Sequence, residues 1–187
     1  MKKTLFLAVA AAFLSAPAMA QDTAFDGLYL GLQGGYGQVS PDGGDKDSGF
    51  SGGAYGGYGV TFGKLYVAGE ASVDLVRGEI SGGGNLPRIS PMSGTVSVTA
   101  DNGPLSLRTE ARFVAEQTRV FQNELPTDGY TLLNADARWR PFADRDVQLL
   151  LGVRNITDEE GRIHSSFLKD FIPLPGRSVR LALSSRF

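Results

Sequence analysis

Hydrophobic and polar residues alternate with a period of two in eight separate stretches of this chain. Successive side chains of an extended strand point to opposite faces, so this alternation predicts β-strands with one apolar and one polar face. The predicted strands are Leu28–Gln38, Phe50–Phe62, Leu65–Leu75, Thr95–Asp101, Leu105–Glu116, Tyr130–Pro141, Val147–Asn155 and Arg177–Phe187. The pattern therefore predicts an all-β fold.

The connections between these strands are alternately long and short. Short turns are expected at Gly63–Lys64, Asp101–Pro104 and Phe142–Asp146. Long loops are expected at Pro41–Gly49, Ile80–Gly94, Arg119–Gly129 and Asp158–Gly176. An even strand number with this alternation predicts an eight-stranded antiparallel up-and-down transmembrane β-barrel.

The final strand would be an open edge unless another strand pairs with it. We therefore expect Leu28–Gln38 to pair with Val179–Phe187, with the apolar faces toward lipid and the charged faces toward the lumen. The alternative is an ordinary edge strand of a soluble sandwich.

The first twenty residues have the pattern of a secretory signal peptide. Lys2 and Lys3 are basic, Leu5–Leu14 is apolar, and Ala18 and Ala20 are the small residues before the expected cleavage site. The apolar run is shorter than the about 20 residues that a membrane-spanning helix needs. The predicted organisation is therefore a signal peptide at 1–20 and a single barrel domain at 21–187.

Charge and cysteine content exclude several classes of function. The chain has 18 Lys and Arg against 20 Asp and Glu, and removal of Lys2 and Lys3 leaves 16 basic residues. A broadly basic nucleic-acid surface is therefore excluded. With no cysteine, a disulfide, a thiolate nucleophile and a cysteine metal site are impossible.

The polar faces of the predicted strands carry charges of both signs. An eight-stranded barrel is just wide enough for side chains to fill it, and buried charges need partners, so these residues predict an ion-pair network without an open pore. The predicted lumen residues are Glu70, Asp74, Arg108, Glu110, Arg112, Glu116, Asp136, Arg138, Arg140, Arg154, Arg180 and Arg186. A catalytic acid pair of Glu110 and Glu116 is the alternative, but arginines lie between them.

Two other motifs suggest chemistry only weakly. The run Gly52–Gly59 is glycine-rich, but it lacks the lysine and the following helix of a phosphate loop. His164 precedes Ser165 and Ser166, but adjacent residues do not easily form a base and nucleophile pair. We predict a solvated loop histidine, and no enzymatic activity and no cofactor.

An acidic loop contains Asp42, Asp45 and Asp47. It could bind calcium weakly, but it lacks a properly spaced bidentate acid, so a solvated loop tip is expected and no metal site is predicted. Aromatic residues are expected at the membrane interfaces. The candidates, with the last two near the periplasmic rim, are Tyr36, Tyr58, Phe113, Trp139 and Phe187.

Two families resemble different parts of the chain. Phe25–Leu75, which contains D-G-L-Y-L-G-L-Q-G-G-Y-G, resembles the start of the OmpA-like small outer-membrane barrels. The second half resembles the C-terminal strands of TonB-dependent outer-membrane receptors. The segments with that resemblance are L-P-R-I-S-P, P-T-D-G-Y-T-L-L-N-A, W-R-P-F, G-V-R-N-I-T-D-E-E and S-F-L-K-D-F-I-P-L-P-G-R. The chain therefore resembles a hybrid joined near Gly84, with OmpA-like strands in 25–82 and receptor-like strands in 86–187.

These resemblances imply an outer-membrane location in a Gram-negative bacterium, with both termini in the periplasm. The last strand resembles an assembly signal, with Leu181, Leu183 and Phe187 facing the barrel assembly machinery. The other expected partners are outer-membrane lipid and lipopolysaccharide, and the protein is expected to be a monomer. The chain has no room for a receptor plug domain, so energised import is not implied.

Three functional hypotheses follow. The first is a non-enzymatic outer-membrane barrel that presents its outer loops. The second is a receptor-derived ligand-binding protein that uses the loops Arg119–Gly129 and Asp158–Gly176 without transport. The third is a barrel enzyme that acts on membrane lipid.

Overall fold

The computed structural model describes residues 26–39, 47–80 and 84–185. This part of the chain folds into eight strands, as the alternation predicts. Their bounds are β1 Gly27–Val39, β2 Asp47–Phe62, β3 Leu65–Glu79, β4 Ser93–Asp101, β5 Leu105–Val114, β6 Tyr130–Trp139, β7 Val147–Arg154 and β8 Ser178–Ser185. The predicted signal peptide and its cleavage site lie outside the described residues.

The eight strands form one antiparallel sheet in chain order, from β1 to β8. The short turns lie where they were predicted, and their residue types explain them. Gly63 and Gly103 adopt positive φ angles of 62° and 89°, which glycine accepts without strain. In the second turn, the Gly103 backbone N–H donates to the Asp101 Oδ1 at 2.7 Å. In the described part of the chain, no helix has the length and apolarity to cross a membrane.

The sheet has one apolar and one polar face along all eight strands. Strand register places Glu70 of β3 beside Ser97 of β4, and Ser97 beside Glu110 of β5, on the polar face. The opposite face exposes large apolar side chains, such as Leu32 at 87% and Leu183 at 72%. Val114 is the only buried apolar side chain among the described residues. The described sheet thus leaves its apolar side chains on an outer surface instead of in a hydrophobic core.

The predicted pairing of the first and last strands is absent from this structure. In the described part of the chain, β1 pairs only with β2, and β8 pairs only with β7. Glycines on the polar face of β2 allow close contacts between β1 and β3. The two edge strands differ in length, with 13 residues in β1 and 8 in β8, and the described ladders end at them, so the sheet is open.

Some strand ends differ from the prediction. β3 runs on to Glu79, paired with β2. β5 ends at Val114 instead of Glu116, because the following backbone turns to other partners: the Ala115 N–H donates to the Met92 carbonyl at 2.9 Å. β6 ends at Trp139, two residues before a proline that has no N–H to donate.

Candidate functional site

On the polar face of the sheet, which we also call the inner face, two side-chain hydrogen bonds join β1 to β3 across β2. The Tyr29 hydroxyl on β1 donates to the Glu70 Oε2 on β3 at 2.6 Å, and the Gln33 amide donates to the Asp74 carboxylate. Gly57 and Gly53 of β2 lie between these pairs, and a Cβ at either position would collide with the side chains that cross there. Part of the glycine content of β2 therefore serves close packing on the polar face.

The inner face of β4 to β8 holds three arginine–acid pairs. Both guanidinium NH2 groups of Arg154 donate to the two Asp136 oxygens at 2.8 Å. The other two pairs are Arg138 with Asp101 at 3.2 Å and Arg108 with Glu110 at 3.6 Å. These side chains are partly exposed in the open sheet, so solvent screens their attraction.

The remaining predicted lumen residues are placed differently. Arg112 and Arg180 lie on the polar face, on β5 and β8, where Thr95 and Gly152 are their register neighbours. Glu116 lies beyond the end of β5. Arg140 follows β6 and donates to the Gly103 carbonyl at 3.1 Å. Arg186 lies outside the described residues.

The structure also places the other predicted residues. Leu181 and Leu183 are exposed on the apolar face of β8, and Phe187 lies outside the described residues. Four aromatic candidates are exposed on strands, namely Tyr36, Tyr58, Phe113 and Trp139. Asp42 and Asp45 lie outside the described residues, and Asp47 begins β2. No group of three or more His, Cys, Asp or Glu in the described part of the chain could hold a metal ion.

The loops after β3, β5 and β7 pack together into a unit that we call the loop cap, comprising residues 84–92, 115–129 and 155–177. His164 lies at its centre. The prediction that His164 is a solvated loop residue is wrong, because its side chain is 0% exposed. The Nδ1 of His164 lies 2.9 Å from the Thr127 Oγ1. Its partner Thr127 belongs to another loop, 37 positions away in the sequence, so no local pattern could show that a second loop would cover the ring.

Glu124 connects the loops of the cap. Its carboxylate accepts from the backbone N–H groups of Arg88 at 3.2 Å and Phe121 at 3.1 Å. The same carboxylate lies 3.4 Å from the His164 Nε2, which has no hydrogen-bond partner. Burial lowers the pKa of His164, with Lys169 acting in the same direction and Glu124 opposing it. The ring is therefore held in its neutral form.

Lys169 is a buried cation in the same cap. Its ammonium group donates to the Leu125 carbonyl and lies 3.1 Å from the Asp170 Oδ1. Sequence reasoning missed both Lys169 and Glu124, because their partners come from loops more than thirty residues away. A buried lysine in a polar loop has no periodic signal that could have identified it.

The outer surface of the cap carries exposed apolar side chains. Phe167 and Phe171 are 78% and 80% exposed, and the Arg88 guanidinium stacks 3.5 Å from the centroid of the Phe167 ring. Beneath the cap, a cavity of about 280 Å³ separates His164 from Arg112 and Leu132 on the inner face of the sheet. The loops thus cover part of the polar face of β4 to β6.

Eight antiparallel strands with one exposed apolar face and one polar face define a membrane β-barrel protein. The model of the outer membrane protein beta-barrel domain family matches residues 6–153, and the chain belongs to this family. Among solved structures, the fold is similar to that of the "Copper transporter OprC", with a TM-score of 0.69 and 20% identity. The match covers 83% of this chain but only 29% of that chain. No curated protein matches the sequence.

Proposed function

We propose that this protein is a non-enzymatic integral outer-membrane protein with a side-chain-filled lumen and a surface role carried by its loop cap. The observation that carries the proposal is the separation of faces along all eight strands, with apolar side chains on one and ion pairs on the other. The three arginine–acid pairs support a filled interior, because each places charged groups where an open channel would run.

Two measurements test this proposal. Heat-modifiable gel mobility of outer-membrane fractions should show a folded form that unfolds on boiling. Purified protein in planar bilayers should give no stable ion conductance, since side chains occupy the lumen. Steady single-channel currents would contradict the filled lumen while leaving the membrane location intact.

We also propose the partners and orientation that the sequence suggested: periplasmic termini, lipid and lipopolysaccharide on the apolar face, and the barrel assembly machinery at the last strand. One chain forms the membrane unit. Unpaired backbone groups are costly in hydrocarbon, so the edges of β1 and β8 need partners in the bilayer. In this cysteine-free chain, one of a set of cysteine pairs placed along the apolar faces of Leu28–Leu32 and Val179–Leu183 should form an internal disulfide, and a disulfide-linked dimer would contradict the monomer.

We propose the hybrid origin as well. It is supported by a change in amino-acid composition near Gly84. Strands before this point are rich in glycine and tyrosine, and strands after it carry arginines. An exchange of segments would test it. A chimera in which the opening strands of an OmpA-like barrel replace residues 25–82 should still fold. Loss of folding for every such exchange would count against two separable halves.

A second candidate is a receptor-derived ligand-binding protein without transport. The ordered loop cap favours it, because three loops joined through Glu124 can present a fixed surface. Similarity to a copper transporter makes Cu(II) the first probe for equilibrium dialysis. Binding that persists after residues 158–175 are replaced by a short Gly-Ser linker would contradict a loop site.

The lipid-acting enzyme is the least favoured hypothesis. The Nδ1 of His164 forms a hydrogen bond with Thr127, and the ring is fully buried. The imidazole is therefore not positioned as a general base for Ser165 or Ser166. We therefore expect purified protein to hydrolyse no phospholipid. A hydrolase activity that disappears in His164→Ala, with the fold retained, would overturn this view.

A further inference from the structure

A groove of about 520 Å³ lies on the apolar face of the sheet, across β3 to β6. One row of paired residues crosses it, in which Val73 pairs with Gly94, Gly94 with Phe113, and Phe113 with Thr131. Val73 and Phe113 are 44% and 48% exposed on this face. Neither β1 nor β8 lines the groove, so the groove does not need the two edges of the sheet to be apart.

Small residues form the floor of this groove. Gly94 lies between Val73 and Phe113 in the row and has no side chain to fill the space on the apolar face. Ala115 and Gly129, on the loop side of the row, also line the groove, and a Cβ at Gly129 would collide with the neighbouring backbone. The surface is therefore concave at this place. The larger apolar side chains around the floor are Val73, Phe113 and Met92.

The groove lies at the long-loop end of the apolar face. β4 begins at Ser93 and β5 ends at Val114, so the row through Gly94 is the last row of the apolar face that these two strands share. Glu159 of the loop cap borders the groove on that side. Three strand spacings make the row about 14 Å long. Because the strands of membrane barrels are tilted by about 35–45°, such a row runs obliquely through a lipid leaflet.

Packing, and not the hydrophobic effect, would distinguish a lipid chain in this groove from the surrounding lipid. A lipid tail is as apolar as the side chains that it touches, so the burial of apolar area favours neither position. A chain in the groove contacts the floor and the side chains on both sides of it, and dispersion contacts are individually weak but large in sum. The groove should therefore retain one chain longer than the flat parts of the face do.

We propose that this groove holds an acyl chain of lipopolysaccharide, whose sugar headgroup lies beside the loop cap. The choice of lipid follows from position, because long loops face outward in outer-membrane barrels and the groove ends beneath them. Glu159 also favours it, since a carboxylate accepts hydrogen bonds from sugar hydroxyl groups but repels a phosphate placed directly beside it. The inference rests on the membrane location and orientation of the proposed function, and it assigns a binding site to one of the proposed partners.

The test uses the full chain folded in a nonionic detergent, with lipid A, the acylated part of lipopolysaccharide, added and the retained lipid counted by native mass spectrometry. The wild type should retain one molecule. Phe113→Ala removes one side of the groove and should lower the retained fraction about fivefold. Leu107→Ala is the matched control, because Leu107 lies on the same strand and face, is 45% exposed and does not line the groove. This control should retain lipid A as the wild type does.

A second variant and a second lipid complete the test. Thr131→Phe fills the groove from its β6 end, leaves its glycines intact and should also reduce retention. Equal retention by the wild type and Phe113→Ala, or an equal loss in Leu107→Ala, would overturn the site. Phosphatidylethanolamine that is retained as well as lipid A, and lost in Phe113→Ala, would overturn lipopolysaccharide as the occupant. Heat-modifiable mobility and recovery in outer-membrane fractions test the proposed function separately, so a wild-type barrel that passes both but retains no lipid A refutes only this inference.

Discussion

Acidification should loosen the loop cap, because the cap buries His164, whose side chain titrates near neutral pH when it is free. His164 is the only histidine of the chain. Its ring is covered, and its Nε2 faces Glu124 without a hydrogen bond. The charged groups packed around the ring are Glu124, Lys169 and Asp170. Any change between pH 7.5 and 5.5 that this residue causes can be removed by one substitution.

The direction of this pH dependence follows from the lowered pKa of His164. A free histidine has a pKa of about 6.5. The closed cap favours the neutral ring, so the opened cap binds more protons, and the stability of the closed form falls as pH drops below that value. The limiting slope is about 1.4 kcal/mol per pH unit. Between pH 7.5 and 5.5, the opening equilibrium should therefore increase by up to about tenfold.

Hydrogen exchange measures this opening directly. After correction for intrinsic exchange rates, amides in residues 161–174 should lose protection as the pH falls from 7.5 to 5.5, whereas strand amides of β2 and β3 should not. His164→Gln keeps a polar group near Thr127 but cannot titrate, so its cap should show no such dependence. A flat wild-type profile, or an equal slope in the variant, would refute the reasoning.

Three other substitutions test separate parts of the structure. Lys169→Met leaves a carbonyl unpaired and should loosen the cap by about 2 kcal/mol, measured by limited proteolysis. Gly57→Ala would collide with the tyrosine ring of β1 and should cost about 1–3 kcal/mol in urea unfolding, whereas Gly69→Ala, with no atom within 4 Å of its Cβ position, should be mild. Leu151→Arg places a charge on the lipid face and should cost about 2–4 kcal/mol of membrane folding. Leu150→Arg, on the polar face, should be tolerated; equal effects would contradict the assignment of faces.

The strands and their faces were predictable because a period of two is a local signal. Leu105–Val114 and Tyr130–Trp139 alternate over most of their length, which is enough to identify both the strand and its orientation. Strand ends were less predictable, since the last pairs depend on what the following loop bonds to. Closure was predicted from the cost of open edges, but pairing of the first strand with the last depends on the shape of the whole sheet, which no single strand shows.

The loop cap could not be predicted for a different reason. His164 and Glu124 lie 40 positions apart, and Lys169 and Leu125 lie 44 apart. Such contacts depend on how three loops fold over one another. A resemblance to receptor loops indicated which segments matter, but not that a histidine and a lysine would be buried there.

The strands differ in height. β2 and β3 have 16 and 15 residues, whereas β7 and β8 have 8 each. β3 continues for five residues past Asp74, its last residue that pairs with β4. At about 3.4 Å per residue, this ribbon rises about 17 Å above its neighbour on the long-loop side. The long-loop edge of the sheet is therefore slanted, with its highest part at the β2–β3 ribbon, away from the strands that the loop cap covers.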